Sequence, residues 1–352
     1  MGRFELLNPT FWLSSVDGDP AWLAAARNIF KKEVSTMNGI SRRNLMKATI
    51  AAGAGAAMPQ LTKAGDAEKT NTMYIAAYDT ESARCLEACR KIVEVHKRLE
   101  MPATFFIVGK TLDANPKEYK ELLTNPLFEI ASHTWSHKML RDNVFCGPAV
   151  SADEKREEIF RGKEMVERTF ERPCLGVRPG CSFDDGLRGA VDVLKLIGEA
   201  GLKYVSSLAW GPDYSMPALL REPFNYAADG FADLWELPCH GWHENLLKNN
   251  NGWGPRRLTL WPPVMPEAIP SKFVKTPEDE FAVNRIFIDR ALDRNKPFVS
   301  LIWHPWSLYK FDPEMKMLEL TFAHVHKIGL KPCTYADLYK QVSGQGDTIS
   351  HA

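Results

Sequence analysis

The chain has 352 residues, 45% of them hydrophobic, enough for one large core in a domain of about 250–300 residues plus extensions. Lys+Arg and Asp+Glu both number 44, so the formal net charge is zero. No net field favours nucleic acid or an anionic membrane surface, and neutral polymers or small uncharged molecules suit that balance better.

The first element in chain order is an address. Ser41-Arg42-Arg43-Asn44-Leu45-Met46-Lys47 precedes a small-residue, weakly apolar run from Ala48 to Met58. Paired Arg, a following Leu, a Lys and an Ala/Gly-rich stretch read as a twin-arginine export signal over residues 1–61, with cleavage near Ala57. Met37 is an alternative start that would give the signal ordinary length. The run is too short and Gly-rich to span a membrane, which takes about 20 apolar residues. The expected partner is the twin-arginine machinery, and the expected location is periplasmic or secreted, without stable membrane insertion. A polar linker over 62–70 leads into a domain over 71–340, followed by a tail at 341–352.

From residue 71 the chain alternates strand-like and helix-like segments. Strands are expected at Met73–Tyr78, Ala103–Val108, Phe128–Ser132, Leu175–Val177, Lys203–Ser206, Leu234–Leu237 and Phe298–Trp303. Helices are expected at Ala83–Leu99, Pro116–Leu123, Ala152–Phe170, Gly189–Ala200, Pro277–Asp293 and Pro313–Ile328. Repeated strand–helix order predicts an α/β fold with a parallel sheet, closed or nearly closed into a barrel. Active sites of such barrels lie at the carboxyl ends of the strands, where Asp79, His133, Arg178, Pro238 and His304 all fall.

Ser132-His133-Thr134-Trp135-Ser136-His137 carries two imidazoles four residues apart. On a helix these share a face, with Cβ atoms about 5–6 Å apart, which suits two nitrogens on one divalent ion. Asp79 and Glu81 stand at i and i+2 after the first strand and can face one pocket if the segment is extended. The competing reading makes Asp79 or Thr80 a cap for the next helix. Two His and a carboxylate with open positions suit Zn²⁺, with Co²⁺ or another first-row ion as alternatives. His240-Gly241-Trp242-His243-Glu244 is a second polar cluster, readable as a substrate wall or as a surface loop. The seven Cys contain no CxxC pair, which argues against a zinc ribbon and favours scattered buried thiols. His96, His324 and His326 read as structural or exposed.

Several of these segments together resemble the NodB-type polysaccharide deacetylases. Tyr78-Asp79-Thr80-Glu81, Pro102-Ala103-Thr104-Phe105-Phe106-Ile107-Val108-Gly109 and the Ser132–His137 segment match that family's first strand, second strand and His motif in order and separation. Gly176-Val177-Arg178-Pro179-Gly180, Leu234-Trp235-Glu236-Leu237-Pro238 and Leu301-Ile302-Trp303-His304 resemble its later motifs. The resemblance covers residues 71–340 and implies a distorted (β/α)7-type barrel.

The resemblance also implies the site. His133 and His137 correspond to metal-binding histidines, Asp79 to the general base, Arg178 to the group that keeps that base ionised, and His304 to the acid that protonates the departing amine. The family's second aspartate, a metal ligand, is Thr80 here. Glu81 then takes the metal, with Asp79 and a metal-free site as the alternatives. Gly180, Trp235, His240 and Trp242 are the expected substrate-binding positions. The implied activity is removal of acetyl groups from N-acetylglucosamine-type units of a polysaccharide, so the expected partner is a carbohydrate. Hydrolysis of a small or cyclic amide, without metal, and an inactive carbohydrate-binding relative are the other readings. Ser182-Phe183-Asp184-Asp185-Gly186 spells the family's first motif but has no HxxxH behind it, and reads as a loop with a helix cap. Oligomeric state is not readable from these features.

Overall fold

The computed structural model describes residues 71–248 and 265–344. The segments expected as export signal and linker, and residues 345–352 of the expected tail, lie outside the described residues, whereas the first two residues of that tail, 341 and 342, belong to the last helix. Among the described residues no helix is long and apolar enough to cross a membrane.

The alternation predicted from sequence is present. In chain order come β1 (Met73–Thr80), α1 (Cys85–Arg98), β2 (Ala103–Ile107), α2 (Gly109–Ala114), α3 (Pro116–Leu123), β3 (Phe128–Ser132) and α4 (Ala152–Phe170). They are followed by β4 (Gly176–Val177), α5 (Val191–Glu199), β5 (Tyr204–Val205), β6 (Phe224–Tyr226), β7 (Phe231–Glu236) and α6 (Glu244–Leu247). The last elements are α7 (Pro277–Asp293), β8 (Phe298–Trp303), α8 (Pro305–Phe311), α9 (Lys316–Lys327), β9 (Lys331–Pro332) and α10 (Tyr335–Val342). Helix starts follow local chemistry: Ser151 with Glu154, Thr276 with Asp279 and Thr334 with Asp337 form reciprocal capping boxes on α4, α7 and α10.

The sheet runs β6-β7-β5-β4-β3-β2-β1-β8, parallel except for the β6–β7 pair, and β9 pairs with the first two residues of β1. Of the closed or nearly closed barrel expected, the structure shows the form that is not closed, because among the described residues no strand ladder joins β7 to β8. Pro238, which has no N–H to donate, stands two residues past the end of β7. His240 spans the gap instead: its backbone N donates to Ser300 O at 2.9 Å, and its Nδ1 accepts from Ser300 N at 3.1 Å. One backbone bond and one side-chain bond of a single residue replace the missing rungs.

Strand parity then decides what faces where. Tyr74, Ala76 and Tyr78 of β1 enter the large cluster beneath the helices, whereas Met73, Ile75 and Ala77 enter a smaller cluster with Phe106, Ala131, Leu237 and Phe298. Tyr335, Leu338 and Tyr339 of α10 belong to that smaller cluster and plug one end of the barrel interior. Continuing the inward parity to and past the carboxyl ends gives Asp79 after Ala77, at the end of β1, His133 after Ala131 and His304 after Ile302. The same alternation that fills the interior with apolar groups lifts these three polar groups onto its open rim.

Candidate metal centre and active site

Asp79, Glu81, His133, His137, Arg178 and His304 line one cavity. Thr80, between the two carboxylates, is fully buried and does not line it, as the two-residue period requires. The helix-cap reading of Asp79 or Thr80 fails, since α1 starts at Cys85 behind Arg84 with no side-chain cap.

The helical premise for His133 and His137 also needs correction. Both stand in a loop beyond β3, and Thr134 (φ 61°) and His137 (φ 65°) are left-handed. Convergence comes from that turn, with the rings 4.8 Å apart edge to face. Thr134 N donates to Ser132 Oγ and His137 N to Thr134 Oγ1, both at 3.1 Å. Helix α4 supplies the rest. The buried Glu158 carboxylate accepts from Ser136 N at 2.7 Å and from Ser136 Oγ, while its backbone carbonyl accepts from Trp135 N at 2.9 Å. Gly162 lets α4 come this close, because a Cβ there would lie 2.6 Å from the Thr134 carbonyl carbon.

His133 Nδ1 donates to Arg178 O at 2.9 Å, which leaves the Nε2 lone pair aimed at the cavity. That Nε2 is buried and has no hydrogen-bond partner. Glu81 Oε1 sits 3.7 Å from His133 Nε2, 3.2 Å from His137 Nε2 and 3.2 Å from His304 Nε2. The ligand atoms of Glu81, His133 and His137 all lie within 4.8 Å of one another, so one oxygen and two imidazole nitrogens fit a first-row divalent ion. Burial works against the Glu81 carboxylate, but the three imidazoles outweigh it and hold its pKa well below the usual range.

Asp79 is tied elsewhere. Its Oδ1 is 3.2 Å from Arg178 Nε, and its Oδ2 is 3.9 Å from His133 Nε2. Arg178 is 1% exposed and lies over the Phe106 ring at 4.5 Å. Its other nitrogens donate to Ser206 Oγ at 2.8 Å and Cys239 Sγ at 3.2 Å. Burial opposes its charge, but Asp79 dominates and raises its pKa further.

The opposite rim carries His304. Glu244 Oε1 accepts from His304 Nδ1 at 2.8 Å and from His304 N at 3.1 Å. Nδ1 therefore holds its proton and Nε2 points to the cavity. Burial lowers the His304 pKa, yet Glu81 and Glu244 together raise it well above the ordinary imidazole value. His243 packs on His304 with ring centres 5.0 Å apart, and burial holds its pKa down at about 4. Behind Glu244 lies a second buried pair, Lys248 Nζ to Glu280 Oε2 at 3.0 Å, with Trp303 Nε1 donating to Glu280 at 3.2 Å. Glu244 stands inside the polar cluster noted in the sequence, but spacing alone gave it no role.

The expected substrate positions separate. Trp242 borders the cavity, anchored by its Nε1 donating to Ala268 O at 2.7 Å. His240 also borders it, but both ring nitrogens are spent on Arg221 O and Ser300 N. Gly180 packs where a Cβ would lie 2.6 Å from His137 O, while Pro179 and Cys181 beside it line the cavity. Trp235 has the inward parity but the wrong height, packing in the small cluster below the rim rather than on the cavity. Asp184 and Asp185 stay outside the cavity, and α5 has Ala190 rather than either aspartate at its cap.

Five cysteines are buried thiols, whereas Cys146 and Cys181 form a disulfide that the sequence did not reveal. His96 is buried between Tyr78 Oη and Met101 O at 2.7 Å each. His324 is partly buried against Asp289 at 2.5 Å, and His326 is exposed.

Residues 68–205 match the family model described as Polysaccharide deacetylase. A peptidoglycan-N-acetylglucosamine deacetylase of Bacillus cereus is 29% identical over 116 residues, covering 33% of this chain and 47% of the relative. The chain thus spans about half the length of the curated relative it matches. The fold is similar to that of a protein assigned as a polysaccharide deacetylase from Mycobacterium smegmatis, with TM-score 0.54, 18% identity, and coverage of 85% of this chain and 97% of that one. It is also similar to PuuE allantoinase, with TM-score 0.55, 12% identity, and coverage of 81% and 93%. The motif order, the strand-end placement of its residues and the match over residues 68–205 agree in likening this chain to the polysaccharide deacetylase family.

Proposed function

We propose that the chain is an exported, metal-dependent amide hydrolase that removes acetyl groups from N-acetylglucosamine-type units of a peptidoglycan- or chitin-like glycan. The observation carrying this reading is the convergence of Glu81, His133 and His137 within 4.8 Å, with Asp79 and His304 on the same cavity. Glu81, His133 and His137 would hold the ion, Zn²⁺ in the first place. When bound, such an ion supplies Lewis acidity at the acetamide carbonyl and lowers the pKa of a coordinated water toward about 7.

The chain's own residues do the proton work. Asp79, paired with Arg178 Nε at 3.2 Å, takes a proton from the attacking water as the new C–O bond forms at the carbonyl carbon. Backbone N–H groups near Gly180 are the donors assigned to the developing oxyanion. His304, oriented by Glu244 through Nδ1, delivers a proton from Nε2 to the nitrogen as the C–N bond breaks. Acetate and a free amine leave.

Export rests on the twin-arginine pattern at 41–47. The Cys146–Cys181 disulfide supports it, since such bonds persist in oxidising compartments.

The test uses the purified chain loaded with Zn²⁺ or Co²⁺ and measures acetate released from chitin oligomers, peptidoglycan fragments and small acetamides. Release that chelator abolishes, and that His137→Ala lacks, is expected. No acetate from any of these substrates sinks the deacetylase reading. Turnover of a cyclic amide alone favours the second reading, which the Thr80 departure motivates.

A further inference from the structure

A glycan that runs through an active site needs an open path on two sides of the reacting unit. Here the segments following β1, β3, β4, β5, β7 and β8 all contribute to one cavity, so it is walled around most of its circumference. Its volume is about 80 Å³. At about 10–15 Å³ per water site that is room for a handful of waters, far short of the roughly 300–1,000 Å³ of pockets that enclose drug-sized ligands. One acyl group fits inside; two sugar rings do not.

The wall facing the metal residues is aromatic. Phe145 stacks on Trp210 with ring centres 5.0 Å apart and planes 27° apart, and meets Tyr214 edge-on at 5.8 Å. Trp242 and Ile302 continue the apolar lining. Phe145 is only partly buried, on a loop that by itself would be free to swing away.

Three independent ties prevent that. Cys146 is bonded to Cys181. Asn143 Nδ2 donates to Ser182 O at 2.8 Å. Arg141 Nη1 donates to Asp185 Oδ1 and to Gly186 O, both at 2.6 Å. The near-copy of the first motif at 182–186 thus acts as the anchor for the opposite loop. Ties from Arg141 and Asn143 before it and Cys146 after it make Phe145 a wall rather than a lid.

We propose that this braced wall confines the chain to single or terminal N-acylated sugar units, with the acyl group in the cavity and the sugar ring on the Phe145–Trp210 face, and excludes internal units of a long glycan. The proposal rests on the deacetylase reading above. Sugar rings suit such a face because an aromatic ring presents a flat apolar surface to their C–H groups.

The experiment uses the full chain loaded with Zn²⁺ on N-acetylglucosamine oligomers of one to six units, with mass spectrometry locating each free amine. Free amine at one chain end only, with kcat/KM flat or falling from dimer to hexamer, is the expected result. Internal free amines, or a kcat/KM that climbs tenfold or more with length, overturn the proposal while leaving the deacetylase reading intact. No acetate at any length overturns both. Phe145→Ala should raise the hexamer-to-monomer ratio of kcat/KM at least tenfold, and Phe145→Leu by less. An unchanged ratio in a folded Phe145→Ala protein counts against the wall. A readout free of turnover is the tryptophan fluorescence of Trp210 and Trp242. Quenching should saturate as tightly with the dimer as with the hexamer, and hexamer binding tenfold tighter refutes the end-on mode.

Discussion

The two rims of the cavity are built on different principles. The metal rim, from β1, β3 and β4, places its groups first by backbone, with Glu158 bracing the turn: strand parity sets Asp79 and His133, a left-handed turn sets His137, and Arg178 follows a two-residue strand. The acid rim, after β7 and β8, places His304 through a chain of buried charges, Glu244 behind it and Lys248–Glu280 behind that. A backbone-set site tolerates change in its neighbours, whereas a site set by buried charge fails if any member is left unpaired.

The largest effects should fall on the metal rim and divide its two carboxylates. Glu81→Ala should lose both the ion and turnover, whereas Asp79→Asn should keep a stoichiometric ion and lose about 10²–10⁴-fold in kcat. Metal analysis beside kinetics checks this, and an Asp79→Asn protein without metal would reverse the assignment. On the acid rim, Glu244→Gln should cost about 10²-fold in kcat with metal content and KM little changed, because the imidazole loses the carboxylate that fixes its tautomer. A loss confined to stability, with kcat unmoved, would make Glu244 a packing residue.

Within the metal rim, two loops differ in what holds them. Cys146→Ser with Cys181→Ser should lower stability by about 2–4 kcal/mol, the usual range for a cross-link of this separation, 35 residues, read from denaturant midpoints. The glutamate-braced turn at 134–137 should survive that change, so metal affinity is expected to hold.

A stability effect of similar size, seen only toward acid pH, compares two regions through buried neutral histidines. Burial depresses His96, beneath β1, and His240, at the barrel gap, from 6.5 to about 4 each. A folded pKa below the unfolded one leaves stability intact above about pH 6.5 and removes it as pH falls toward 4. Each should cost roughly 3 kcal/mol over that window. His96→Gln and His240→Gln should each flatten the pH dependence of the denaturation midpoint. Flattening by one alone would show that the two regions do not unfold together.

Much of the metal rim was legible because its residues lie in short segments where order and separation carry the signal. The acid rim was less so. His304 stood at a readable strand end, but its partner Glu244 is 60 positions away and no local pattern pairs them. Trp235 shows the opposite limit, since parity gave its face but not its height in the barrel.

What the sequence by itself determined was the alternation of strands and helices, the strand ends, and the set Asp79, Glu81, His133, His137, Arg178 and His304. Hydrophobic period and motif spacing are local properties, readable without coordinates. Only the tertiary structure decided that a turn rather than a helix joins the two histidines, that His240 bridges the open barrel, that Glu244 stands behind His304, and that Cys146 meets Cys181. Those pairings are contacts between distant segments, and their partners are chosen by packing geometry, which no local pattern encodes.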